Sequence, residues 1–154
     1  MVNETVVVFG ASGFLGSHVA DALSAAGYQV RLFDRSPSPY LKSNQEMIVG
    51  DIMDLDQVIE AAKGTSIVYN FAAIADIDEA HNKPIPTATI NVLGNMHALE
   101  AARIAGARRF VFASSVYVYS ESGSFYRASK QAAERFTETY HARYGLEYNI
   151  LRYG

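Results

Sequence analysis

Cysteine is absent from the chain, so neither a disulfide nor a thiolate metal site is available to it. Positive charge is in short supply as well. The formal net charge is -3, which offers no basic field to nucleic acid and disfavours that class of partner. Proline is scarce, and Pro37, Pro39, Pro84 and Pro86 fall where loops or a helix start are expected. No apolar run has the length needed to cross a bilayer. The opening "MVNETVVVFG" has no basic stretch ahead of a long apolar core, so no secretory signal is expected and a cytoplasmic location is. His18, His81, His97 and His141 are scattered without close ligand spacing, and no metal site is expected of them.

What is present suits an α/β fold. The 154 residues are 49% hydrophobic and 19% charged, the profile of one globular domain spanning 1–154 with a real core. "TVVVF" (5–9) is a β-branched run without polar alternation, as expected of a strand buried on both faces of a parallel sheet. Leu15, Val19, Ala22, Leu23 and Ala26 then mark one face of a helix that Gly27 closes. The alternation continues through strands at "QVRLFD" and "EMIVGD", a helix at "LDQVIEAAKG" and a strand at "SIVYNFAA". A long helix is predicted over 87–106, a strand at "RRFVFASS", a helix over 125–145 and a last strand at "EYNILRYG". Strands alternating with helices imply βαβ units, hence a doubly wound, Rossmann-like parallel sheet in an αβα sandwich.

Two local patterns carry chemistry. After the first strand, "GASGFLG" spaces Gly10, Gly13 and Gly16 as G-x-x-G-x-x-G. One glycine allows the tight turn, another lets the backbone approach a diphosphate, and a third lets helix and strand pack closely. The free N–H groups and positive dipole of the following helix start would face that diphosphate. The second strand ends in Asp34, near the offset of the acid that binds an adenosine ribose. A carboxylate there repels a 2′-phosphate, which favours NAD over NADP, although the neighbouring Arg35 is a group that pairs with such a phosphate. In "FYRASK", Tyr126 and Lys130 stand four apart, on one face of a helix. A free phenol has a pKa of about 10 and is a poor base at neutral pH. An ammonium within about 4–6 Å stabilises the phenolate and draws that pKa down.

In order along the chain, "FGASGFLGSH", "FD" at Asp34, "GDIMD" at Asp51–Ile52, "NFAA" at Phe71–Ala73, Asn91, "FVFASSVYVYS" and "YRASK" together resemble the extended short-chain dehydrogenase/reductase superfamily. The resemblance is to its NAD-dependent nucleotide-sugar epimerases and dehydratases. It implies an NAD site built from the turn residues Gly10, Ser12, Gly13, Phe14, Leu15 and Gly16, with Asp34 and Arg35 at the ribose. Asp51 and Ile52 would meet the adenine, and Phe71, Ala72, Ala73, Ala75 and Asn91 would complete the cofactor contacts, with buried structural hydrogen bonding as the alternative for Asn91. It also implies Tyr126 as general acid/base, Lys130 lowering its pKa and holding the ribose, and Ser115 orienting the substrate, with Ser114 as the alternative serine. Hydride transfer between a nucleotide sugar and NAD is the activity implied.

The chain departs from the family in two places. The segment "SESGSF" between the serine strand and the tyrosine helix is compact, where relatives carry a longer loop that helps build the sugar-nucleotide pocket. The chain also ends at "NILRYG", where relatives continue into a second, substrate-binding region, so about half of a family member is expected here. An exposed sheet edge and uncovered apolar surface follow from that expectation, with homo-oligomerisation as one way to cover them. Two other functions compete: a dinucleotide-binding sensor or regulatory module without turnover, and a reductase or dehydrogenase of a small or lipid-like carbonyl compound.

Overall fold

The computed structural model describes residues 3–154. Six strands form one parallel sheet in the order β3-β2-β1-β4-β5-β6. They are β1 (Thr5–Phe9), β2 (Gln29–Asp34), β3 (Gln45–Val49), β4 (Ile67–Asn70), β5 (Arg109–Ser115) and β6 (Tyr148–Tyr153). The Rossmann-like α/β arrangement read from the sequence is therefore the one observed. The chain runs outward from β1 through β2 to β3, then returns to place β4 on the other side of β1. That reversal opens a crevice beyond the C-terminal ends of β1 and β4, where open parallel sheets bind ligands.

β1 has no polar alternation because both its faces are covered. Val7 and Phe9 pack into one core with Val58, Ala61 and Ala62 of α2 (Leu55–Ala62) and Ala98, Leu99, Ala101 and Ala102 of α5 (Gly94–Ile104). Ala133 of α6 (Ser124–Tyr144) closes that layer. Val6 and Val8 point the other way, into a second core with Val30, Leu32, Ile67 and Ala20 of α1 (Phe14–Ala25). Among the described residues α1 is the one long helix on this face, and at the sheet's far edge Leu151 of β6 stays 40% exposed. The expected open edge is thus present at β6, with Leu151 the exposed large apolar side chain on it.

The helix predicted over 87–106 is observed in three pieces. α4 (Pro84–Ala88) leads into a π-helical turn (Thr89–Leu93), and α5 follows. A short helix that the sequence reading missed, α3 (Ile77–Asn82), precedes them, capped by Asp76, whose carboxylate accepts from the Glu79 amide at 2.7 Å. A further 3₁₀ turn, Val116–Tyr119, follows β5. No described helix is long and apolar enough to cross a membrane.

Candidate active site

A cavity of about 530 Å³ occupies the crevice beyond the strand ends, within the size range of small-molecule and cofactor sites. At one end it is lined by the turn after β1, through Gly10, Gly13, Phe14, Leu15 and Gly16, and by Asp34 and Arg35 after β2. Asp51 and Ile52 after β3 and Phe71, Ala72, Ala73 and Ala75 after β4 form its walls. At the other end stand Ser114, Ser115, Tyr126 and Lys130. Strand ends that are far apart in sequence thus bring nearly all the expected residues to one hollow.

The three glycines of the turn are required for different reasons. Gly10 has φ 75°, and a Cβ added there would sit 2.5 Å from the Ala72 amide nitrogen. A Cβ on Gly16 would fall on the Gly10 carbonyl oxygen. Gly10 is glycine because the turn packs against the backbone after β4, and Gly16 because the helix start packs against the turn itself. Gly13 is different, since its backbone is extended (φ -76°, ψ 173°) and an added Cβ would meet only the Gly10 oxygen at 3.4 Å. Nothing in the protein demands a glycine there. Its bare backbone faces the cavity, which suits close approach of a diphosphate at the start of α1.

Ser12 is not among the cavity-lining residues. Its amide donates to Asp34 Oδ2 at 3.0 Å and its hydroxyl to the Ser36 carbonyl at 2.6 Å, so it orients the acid rather than facing the hollow. Asn91 lies behind the wall. Its Oδ1 accepts from the Ile74 amide at 2.7 Å, while its Nδ2 donates to the Ile74 carbonyl at 3.1 Å and to Ser129 Oγ at 2.9 Å. All its polar capacity in that direction is used to hold the loop after β4. In this structure Ser12 and Asn91 are engaged in shaping the wall, and for Asn91 that matches the structural hydrogen-bonding alternative.

Tyr126 and Lys130 share the inward face of α6, both buried. Lys130 Nζ donates to the Ala113 carbonyl at 2.8 Å and lies over the rings of Phe112 and Tyr126 at 5.0 and 5.7 Å from their centroids. Burial lowers its pKa to about 8, with the carboxylate of Glu134 opposing that fall. For Tyr126 the shift in the chain alone is upward. Burial raises the phenol above its ordinary value, the Ser115 side chain works against the rise, and Tyr117 adds to it.

Tyr117, Met53, Ile77 and Tyr153 also line the cavity and were missed in the sequence. They come from a loop, the start of α3, the 3₁₀ turn and the last strand, so only the strand order reveals their convergence. Tyr117 crosses Tyr126 edge to face, with ring centroids 6.3 Å apart. Its position depends on Gly123 (φ 99°), where an added Cβ would lie 2.9 Å from the Tyr117 ring.

A sequence profile described as the NAD dependent epimerase/dehydratase family matches residues 6–154. A UDP-glucose 4-epimerase of Rhizobium meliloti is 31% identical, across 99% of this chain and 52% of its own. A 3-beta-hydroxysteroid dehydrogenase of Mycolicibacterium neoaurum is 34% identical, across 71% of this chain and 31% of its own. The crystal structure of UDP-glucose 4-epimerase from Brucella ovis in complex with NAD superposes with a TM-score of 0.90 at 28% identity, covering 97% of this chain and 51% of that one. The chain spans about half the length of the epimerases it matches.

Proposed function

The chain belongs to the NAD-dependent epimerase/dehydratase family, and from that premise we propose that it is the dinucleotide-holding half of an enzyme that oxidises and reduces a nucleotide sugar. One observation carries the reading. A single cavity has a phosphate-sized glycine turn at one end and Ser115, Tyr126 and Lys130 at the other.

Gly10, Gly13, Gly16 and the start of α1 would hold the diphosphate of NAD, Asp34 the adenosine ribose, and Asp51 and Ile52 the adenine. Lys130 would reach the second ribose. Bound NAD supplies a reversible hydride acceptor, which no side chain provides. Tyr126 has the matching task of taking the proton from the substrate hydroxyl and later returning it. A phenol raised by burial holds its proton at neutral pH, so its accepting form depends on positive charge close by. Lys130 is charged below about pH 8 and supplies it. Ser115, facing the phenol, orients the hydroxyl that is to be deprotonated.

In the complete protein, Tyr126→Phe is expected to bind NADH within about twofold of the parent while turnover falls by about 10²–10⁴. Fluorescence titration and a coupled epimerase assay measure the two. Unchanged turnover would remove the catalytic assignment. A sensor without turnover would bind NADH and show no activity to lose. The likeness to a hydroxysteroid dehydrogenase and the compact segment before α6 support a second reading, a dehydrogenase of a lipid-like alcohol. NADH release with a 3β-hydroxysteroid and none with UDP-glucose would favour it.

A further inference from the structure

Behind the expected trio lies a buried carboxylate that the proposed chemistry does not use. Glu134, one turn beyond Lys130 on α6, is 7% exposed. Its Oε1 accepts from Ser114 Oγ at 2.6 Å and from Arg152 Nε at 2.9 Å, and its Oε2 accepts from Arg152 Nη2 at 2.9 Å. One side chain of α6 therefore grips both strands at the reactive end of the cavity. On β5, Ser114 stands between Ala113, whose carbonyl receives the Lys130 ammonium, and Ser115, which faces the Tyr126 phenol. On β6, Arg152 precedes Tyr153, a cavity residue, and its guanidinium also meets the Tyr119 hydroxyl.

We propose that Glu134 is a positioning residue: it clamps β5 through Ser114 and β6 through Arg152, and so fixes Ala113, Ser115 and Lys130 relative to Tyr126. The assignment rests on the functional reading above for its purpose, but the clamp itself is a property of these residues.

Its electrostatics are as specific as its geometry. A surface Glu–Arg pair contributes little, whereas a buried carboxylate is costly unless every lone pair is served. Here burial pushes the Glu134 carboxyl up, but the bonds from Arg152 and Ser114 outweigh that and hold it low, as an anion. That anion keeps the desolvated Lys130 protonated, opposing the fall caused by burial. Tyr126 and Glu134 of its own helix face Lys130, Arg152 of β6 pairs with Glu134, and Tyr117 and Tyr153 line the same cavity. Glu134 is the one among them whose charge acts on the ammonium directly.

The sign of one titration separates a positioning role from a merely structural one. Lysine side chains of the chain are labelled at ¹³Cε, and the Lys130 resonance is followed by NMR from pH 6 to 11 in the parent and in Glu134→Gln. Loss of the negative charge should lower the Lys130 midpoint by about half a unit to one unit. A simple loosening of the fold would instead raise it toward the free-lysine value of about 10.4. A midpoint that rises or stays put overturns the proposal.

Ser114→Ala, which deletes a single hydroxyl, tests the clamp if Glu134→Gln does not fold. Its Ser115 and Val116 amides should exchange with solvent at least about tenfold faster than in the parent, and unchanged exchange there overturns the clamp. NADH titration of the unmutated chain keeps the two readings apart. Failure to bind removes the proposed function and leaves the Lys130 and exchange results standing on their own.

Discussion

At the scale of single residues, a glycine can be needed by the protein or by its ligand, and the turn after β1 contains both kinds. Gly10→Ala forces a side chain into the left-handed region and onto the Ala72 backbone. It is expected to cost about 2–3 kcal/mol or to prevent folding. Gly13→Ala meets nothing closer than 3.4 Å, so its thermal midpoint should stay within about a degree or two of the parent. Its NADH affinity should nonetheless fall at least about tenfold, because the methyl occupies the space left for the diphosphate. Thermal melts paired with fluorescence titrations measure both, and a Gly13→Ala chain that binds normally would move the phosphate site elsewhere. The glycine spacing and the Tyr126–Lys130 pair were legible in the sequence because each is a local pattern, set by a turn or by helix periodicity. The hydrogen bonds of Ser12 and Asn91 were not legible in the same way. Their hydrogen-bond partners, Asp34 and Ile74, are 22 and 17 residues away, and spacing alone does not show which way such a side chain faces.

At the scale of elements, the site's wall depends on three buried asparagines. Asn70 Nδ2 donates to Asn95 Oδ1 at 2.8 Å, and Asn70 Oδ1 accepts from the Ala72 amide at 3.0 Å. Asn91 serves both polar groups of Ile74. The loop after β4 is thereby bonded where no neighbouring strand can reach it. Asn91→Ala strands the amide and carbonyl of Ile74 and should cost about 2–3 kcal/mol in urea unfolding. Hydrogen exchange should quicken over residues 72–76 before it does in the strands. A loss below about half a kcal/mol would show that the loop holds itself. This also explains how the predicted long helix was broken up. The extra residue of the π-helical turn at Thr89–Leu93 lies where Asn91 turns toward the loop, and such turns cluster at functional sites. Apolar periodicity does not register one inserted residue. α3 escaped notice because Ile77 and Ala80 are its few apolar residues, although the Asp76…Glu79 cap spacing was a usable sign.

For the whole molecule, alternation of buried strands with amphipathic helices was enough to give the fold class, since parallel sheets need helical crossovers. The strand order, and with it the meeting of Tyr117 and Tyr153 at one cavity, is a long-range outcome that no local pattern contains. Assembling the site in this way also places a buried ammonium at the wall of the cavity, and the fold should carry a measurable cost for it. Lys130 titrates at about 8 when folded, well below its free value of 10.5, mainly because of burial. Between these limits the unfolded chain binds more protons than the folded one, so stability should rise as pH increases from about 8 to 10. Below pH 8 the penalty is present in full. Above about pH 10 the phenols of Tyr69, Tyr126, Tyr140 and Tyr153, all raised chiefly by burial, reverse the trend, because the unfolded chain then loses protons first. Lys130→Met removes the buried charge and keeps most of the packing, though it leaves the Ala113 carbonyl unserved. The variant should be more stable than the parent at pH 7 by about 1–2 kcal/mol, and its stability should stay flat between pH 8 and 10. Urea unfolding at several pH values reads both quantities. A variant that keeps the parent's slope would mean that the ammonium reaches solvent, and would remove the buried positive charge on which the Tyr126 chemistry relies.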